Sequence, residues 1–329
     1  KMKLLVTGGC GFIGSNFIHY SLKKSKKIEI VNLDAMLSGS KIENLKNIDQ
    51  NRYSFVKGNI CNKKLVSKLV RDVDVVVNFA AESHVDRSIV DSSSFVNSNI
   101  LGIHTLLETL RENKHVKMIQ ISTDEVFGDI KKGSFTENDR LNPSNPYSAT
   151  KAAAEMLVKS FIRTYDLNIT ITRCVNNYGP RQFPEKLIPK VILCALFNKP
   201  IPIHGDGKSK RQWIHVNDHC NAILKIISNS SFGHIYNIPG NFESTNLSLV
   251  KKILKLMKKN ETLIEFVRDR PGQDTRYAIN SKTIKKNLNF SPTIEFSKGI
   301  KDTINWYLEN KNWWKKSFTS IQNPTPWLK

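Results

Sequence analysis

A short apolar run, Lys3 to Val6, stops abruptly at Thr7-Gly8-Gly9-Cys10-Gly11-Phe12-Ile13-Gly14, and a helical pattern takes over from Ser15 to Leu22. Gly9, Gly11 and Gly14 satisfy G-x-G-x-x-G, while Gly8, Gly11 and Gly14 satisfy the wider G-x-x-G-x-x-G. A lone match is a weak signal; between a strand and a helix it has a mechanical reading. Glycines let the backbone turn sharply and approach a diphosphate, and the helix start offers free N–H groups to the anion. Gly8, Gly11, Phe12, Ile13 and Gly14 are therefore expected at a dinucleotide. Asp34 follows Gly14 by twenty residues, at the end of a second strand-like run, Ile28 to Leu33. A carboxylate there accepts from a ribose 2′-hydroxyl and repels a 2′-phosphate, which favours NAD over NADP.

The alternation continues. Tyr53 to Lys57 reads as a strand, Leu65 to Val70 as a helix and Val73 to Ala80 as a strand buried on both faces. Ser92 to Glu112 reads as one long helix and Val116 to Ser122 as the next strand. This pattern predicts an α/β fold, a Rossmann-type doubly wound parallel sheet with a smaller C-terminal α/β substrate domain. The expected division is 1–175 and 176–329, with segments such as 213–230 returning to the first domain. Ligands sit outside the carboxyl ends of such strands. Asn59 and Ile60 end the third strand, and Ala80, Ala81 and Ser83 follow the fourth, in one row under the cofactor.

Lys and Arg number 50 against 29 Asp and Glu, a formal charge of +21. Such a balance raises nucleic acid as a partner. The lysine pairs at 23–24, 26–27, 251–252, 258–259, 285–286 and 315–316 instead sit in helical patterns without interleaved aromatics. They read as solvated faces, so no nucleic acid is expected, and the field would draw an anionic small substrate. Cys10, Cys61, Cys174, Cys194 and Cys220 are odd in number and contain no C-x-x-C pair. They fit reduced thiols in a cytoplasm, with neither a disulfide framework nor a metal site. The apolar stretch from Val73 to Ala81 is broken by Asp74 and Asn78 and too short for a bilayer, so no membrane partner is expected.

Tyr147 and Lys151 lie four apart in a helical segment and share a face. An ammonium beside a phenol stabilises the phenolate, which would make Tyr147 a base for a sugar hydroxyl. Thr123, Asp124 and Glu125 end the strand that should lie beside the nicotinamide. Adjacent acids can merely cap a turn. In one pocket their pKa values would split, leaving one acid and one base, as elimination of water from a sugar requires.

With Phe79 to Ser88, Asn145-Pro146-Tyr147, Asn176 to Pro180, Gln182 to Pro189 and Arg270-Pro271-Gly272, these motifs run through nearly the whole chain. The chain resembles the nucleotide-diphosphate-glucose 4,6-dehydratases of the extended short-chain dehydrogenase/reductase family. The Thr-Asp-Glu triplet discriminates, because 4-epimerases of the superfamily lack that acid pair. The resemblance implies tightly bound, recycled NAD, held also by Ser83, Tyr147, Lys151 and Asn177. It implies that Tyr147 takes the 4-hydroxyl proton as hydride passes from C4 to NAD, with Thr123 steadying that oxygen. Glu125 then removes the C5 proton, Asp124 protonates the leaving 6-hydroxyl, and hydride returns to C6. The product would be a 4-keto-6-deoxy sugar, as in deoxysugar biosynthesis such as that of rhamnose.

The resemblance also places Ser83, Thr123, Asn176, Lys186, Leu187, Pro202, Ile203, His204, Arg211, Asn246, Arg270 and Gln273 at the nucleotide-diphosphate-glucose. Arg211 is chemically apt, since a guanidinium pairs bidentately with phosphate. A homodimer is implied through a four-helix contact of 92–112 and 147–163, whose apolar Ile100, Ile103, Leu106, Leu107, Met156, Leu157 and Phe161 are more than one buried stripe would use. Trp213, Trp313 and Trp314 read as packing residues. Some positions depart from the dTDP pattern: Asn59 and Gln212 stand where Asp is usual, Phe127 where Tyr is usual and Gln273 where His is usual. Ile203-His204-Gly205-Asp206-Gly207 and Ser148-Ala149-Thr150-Lys151 look more like the plant UDP-glucose enzymes, so thymine and uracil both stay open. Two other readings stay open: a 4-epimerase or decarboxylase on the same fold, and a non-catalytic NAD-sensing protein.

Overall fold

The computed structural model describes residues 1–319 and 324–328. Its strands are β1 (Met2–Thr7), β2 (Ile28–Asp34), β3 (Tyr53–Lys57), β4 (Val75–Asn78), β5 (Lys117–Thr123), β6 (Ile169–Cys174), β7 (Asn176–Tyr178), β8 (Ile201–His204), β9 (Lys210–His215), β10 (Ile235–Ile238), β11 (Phe242–Thr245) and β12 (Ile264–Val267). Its α-helices are α1 (Phe12–Lys24), α2 (Lys63–Val70), α3 (Val85–Val90), α4 (Ser93–Val96), α5 (Gly102–Glu112), α6 (Pro146–Tyr165), α7 (Leu187–Leu196), α8 (Val216–Ser228), α9 (Asn246–Leu256), α10 (Lys282–Leu288), α11 (Phe296–Glu309) and α12 (Lys311–Thr319).

Seven strands form one parallel sheet in the order β10-β6-β5-β4-β1-β2-β3. Alternation along its central strands sends side chains to both faces: Leu4, Val6, Val75 and Val77 join one core, Leu5 and Val76 the other. Helices α2, α5 and α6 cover the second face, and α1 and α8 pack together against the first. The β4 strand is shorter than the expected Val73 to Ala80. Beyond Asn78 the chain leaves the ladder to lie against Gly8, where a Cβ would stand 2.6 Å from the Ala80 nitrogen.

A third core gathers α7, α9, α11 and Trp314 of α12 around β8, Tyr178 and Trp213. The chain crosses between cores repeatedly. Ile214, Val216, Ile223, Tyr236 and Ile238, and again Ile279, Ile284, Leu288 and Phe290, pack in the first core. Trp213, by contrast, packs in the third core.

The long helix expected from Ser92 to Glu112 runs without interruption from Ser93 to Glu112 and contains a π-helical turn at Asn97–Leu101. That turn aims Asn99 inward, where Oδ1 accepts from the Glu82 N–H at 2.9 Å and Nδ2 donates to the Thr150 hydroxyl at 2.9 Å. Such bulges occur often at functional sites, and this one ties the end of β4 to α6. Ile103, Leu106, Leu107 and Phe161 are buried in this chain's own core, leaving Met156 exposed and Ile100 and Leu157 half-buried, with exposed Val96 and Leu101 beside them in sequence. Among the described residues no helix is long and apolar enough to cross a membrane.

Candidate functional site

A cavity of about 430 Å³ lies between the carboxyl ends of the main sheet and the third core. Of the residues singled out in the sequence for chemistry or binding, all line it except Asp124. One wall is main chain. Gly8 has φ +70°, a left-handed conformation that favours glycine, and a Cβ on Gly14 would meet the Gly8 carbonyl at 2.4 Å. Helix α1 starts after Gly11 with no side chain capping its first amides and no acid in its first turn. Asp34 is buried at the end of β2; its Oδ2 accepts from the Cys10 N–H at 2.9 Å and its Oδ1 from the Met36 N–H at 2.8 Å. A close-packed glycine turn, an uncapped helix start and a carboxylate suit the diphosphate and ribose of NAD. The Asn59 amide oxygen, expected under the cofactor, accepts from the Cys61 N–H at 2.8 Å. The Leu37 to Ser40 loop also lines this wall, and no periodicity or motif announced it.

The floor comes from β5 and α6. Helix α6 is set by a reciprocal cap: Asn145 Oδ1 accepts from the Ser148 N–H at 2.9 Å, the Ser148 hydroxyl accepts from the Asn145 N–H at 3.3 Å, and Pro146 opens the helix. Below the floor, Arg173 and Glu155 form a fully buried pair at 2.7 Å, and Ser122 donates to Glu155 at 2.6 Å. Lys151 is held by the backbone of β5. Its Nζ donates to the Ile121 carbonyl at 2.6 Å, and burial lowers its pKa to about 8. Burial, then Glu125 and Asp124, push the Tyr147 phenol far above its ordinary range, while the Thr123 hydroxyl pulls the other way.

The two acids differ in position. Glu125 is half-buried at the cavity wall, and burial raises its pKa against the pull of Arg211, Lys186 and Arg270. Asp124 lies one layer behind. Its Oδ1 accepts from the Thr123 hydroxyl at 3.3 Å, and its buried Oδ2 has no hydrogen-bond partner. Burial and Glu125 push its carboxyl up to about 8, so it holds a proton at neutral pH.

The opposite wall is cationic. Arg211 donates to the Lys210 and Asp274 carbonyls at 2.8 and 2.9 Å and lies 4.3 Å from the Tyr277 ring centre. Lys186 donates to the Ser83 carbonyl at 2.7 Å, and Gln273 to the Ser209 hydroxyl at 3.4 Å. The His204 Nε2 lies 2.8 Å from the Pro324 carbonyl, and Asn177 Oδ1 lies 3.0 Å from His219 Nδ1. Asn176, Leu187, Pro202, Ile203 and Asn246 complete this side. Asp86, Arg87, Glu185 and Lys190 were not singled out, although Asp86, Arg87 and Glu185 lie inside the motif stretches. Arg87 pairs with Glu185, and Arg270 Nε lies 2.6 Å from Asp86 Oδ1. His84, between these pairs, is held neutral by burial and by the cations around it.

Comparison with known proteins adds to this geometry. The family model described as GDP-mannose 4,6 dehydratase matches residues 5–303. A dTDP-glucose 4,6-dehydratase of Streptomyces niveus is 41% identical over 319 residues, 95% of each chain. The low-salt glycan biosynthesis protein Agl12 of Haloferax volcanii is 47% identical over 308 residues, 93% of this chain and 99% of that one. The crystal structure of DesIV, a dTDP-glucose 4,6-dehydratase of Streptomyces venezuelae with NAD bound, superposes with a TM-score of 0.93 at 40% identity, covering 96% of this chain and all of that one.

Proposed function

This chain belongs to the GDP-mannose 4,6-dehydratase family, and from that premise we propose that it catalyses NAD-dependent 4,6-dehydration of a nucleotide-diphosphate-glucose, dTDP-glucose or UDP-glucose. The observation that carries this reading is the acid pair at the end of β5. Asp124 keeps its proton at neutral pH, while Glu125 faces three cations at the cavity wall that favour its charged form against the burial that raises it. Two carboxyls whose environments push them apart supply an acid and a base.

NAD, held by Gly8 to Gly14, Asp34 and the strand ends Ala80 and Ala81, supplies a hydride acceptor and donor and a positively charged ring. Tyr147 is the group placed to take the proton of the sugar 4-hydroxyl, beside the Thr123 hydroxyl; it must be ionised to do so, against the burial and the two acids that raise its phenol. Lys151, anchored on Ile121, keeps a positive charge in the floor below about pH 8. Glu125 removes the C5 proton from the cavity wall. Asp124 supplies the proton for the leaving 6-hydroxyl, and Thr123, 3.3 Å from Asp124 Oδ1, offers its route to the cavity. Lys186, Arg211 and Arg270 neutralise the diphosphate.

The dimer belongs to this reading too: exposed Val96, Leu101 and Met156, beside half-buried Ile100 and Leu157, give α4 to α6 apolar surface for a second copy. The free cysteines at 10, 61, 174, 194 and 220 support a cytoplasmic enzyme. The test is incubation with dTDP-glucose and with UDP-glucose, read by the alkali-induced absorbance of a 4-keto sugar. With either substrate in deuterated water, the label should enter C5, and Glu125→Gln should abolish both signals. A product that keeps its 6-hydroxyl and is inverted at C4 would replace this reading with an epimerase.

A further inference from the structure

Helix α3 is short, yet three successive contacts leave it for three other parts of the molecule. Asp86 meets Arg270, which follows β12; Arg87 meets Glu185, which precedes α7; and the Ser88 hydroxyl accepts from the Tyr147 N–H at 3.2 Å. Asp86 is 3% exposed, and neither its Oδ1 nor the Arg270 Nε has an aligned hydrogen bond. The contact is therefore an ion pair at close range, and Asp86 faces Lys186 and Lys190 as well. Four cations, Arg87, Lys186, Lys190 and Arg270, line this part of the cavity, whereas the Asp86 carboxylate lies behind them and does not line it.

We propose that Asp86 is a positioning residue for the nucleotide diphosphate: it fixes the Arg270 guanidinium, and with it the cationic wall, in register with the Tyr147 end of α6. This rests on the dehydratase reading, because it takes the diphosphate as the anion. Charge and geometry make opposite demands here. By Coulomb's law alone, removing a buried carboxylate beside three cations strengthens anion binding. If the carboxylate instead holds the guanidinium in place, its removal weakens binding, because a long cationic side chain must then be ordered by the ligand. The sign of the effect decides between the two.

The experiment is calorimetric binding of thymidine diphosphate and uridine diphosphate to the NAD-loaded protein, beside steady-state kinetics. Asp86→Asn is expected to weaken binding ~10–30-fold and to raise KM by a similar factor, with kcat within about 3-fold, the pattern of lost ground-state binding. Asp86→Glu should recover part of the loss. In an Arg270→Ala background, Asp86→Asn should weaken binding no further, since coupled residues are not additive. Tighter binding by Asp86→Asn, or a full additional loss in the Arg270→Ala background, would overturn the inference while leaving the dehydratase reading intact. A wild-type protein that binds neither diphosphate and forms no keto sugar would overturn both. Unchanged NAD content and unfolding midpoint in Asp86→Asn separate positioning from a folding defect.

Discussion

One wall of the cavity meets its ligand with main chain and the opposite wall with long side chains. Gly8, Gly11 and Gly14 leave no room for a Cβ or only a narrow one, and the α1 amides behind them carry no side-chain cap. Across the cavity, Lys186, Arg211 and Arg270 reach in from three separate segments, and each is already held: by the Ser83 carbonyl, by the Lys210 and Asp274 carbonyls, and by Asp86. The main-chain wall is preorganised by sterics. The charged wall is preorganised by partners, because Lys and Arg carry the largest side-chain entropy to be lost on binding. A retained cofactor suits the first wall and an exchanging substrate the second.

The largest expected effect tests that division directly. Tyr147→Phe should lower kcat by ~10³–10⁴-fold with KM little changed, since it removes a proton acceptor from the floor. Arg211→Gln should instead raise KM by ~10–100-fold and spare kcat, the value of a charge-assisted phosphate contact. Steady-state kinetics on both variants checks this, and the opposite split would show that the cationic wall acts in the chemical step.

A smaller effect sharpens the contrast between buried acids and paired cations. The Asp124 carboxyl stands near 8 in the folded chain and would stand near about 4 unfolded. Its contribution to stability is thus complete below pH 4 and lost as pH rises through 8. Across that window it withdraws about 1.4 kcal/mol per pH unit. Asp124→Asn, which keeps the shape, should flatten that slope when denaturant unfolding is followed from pH 5 to pH 8. An unchanged slope would mean that Asp124 is ionised in the folded protein.

The smallest effect lies at the start of α6. Asn145→Ala removes the acceptor of the Ser148 N–H and should cost about 1 kcal/mol of stability, with kcat reduced less than by any change on the floor. Denaturant midpoints check the first part and kinetics the second. A kcat loss as large as that of Tyr147→Phe would show that the cap, and not the packing of α6, places the phenol.

The chain itself specified whatever depends on a few adjacent residues. The glycine turn at Gly8 to Gly14, Asp34 at the end of β2, the four-residue spacing of Tyr147 and Lys151 and the acids after Thr123 follow from backbone sterics and helical or strand period, which act over one or two turns. Tertiary structure decided which polar groups found each other. Lys151 met the Ile121 carbonyl, and Asp124 settled behind Thr123. Asn97 to Leu101 took a π turn that brought Asn99 to Glu82 and Thr150, and Asp86 met an arginine 184 residues away in sequence. A buried charge or amide must be satisfied by whatever the packing brings within about 3 Å, and that distance depends on how every layer of the fold stacks. It is not encoded in the spacing along any one segment.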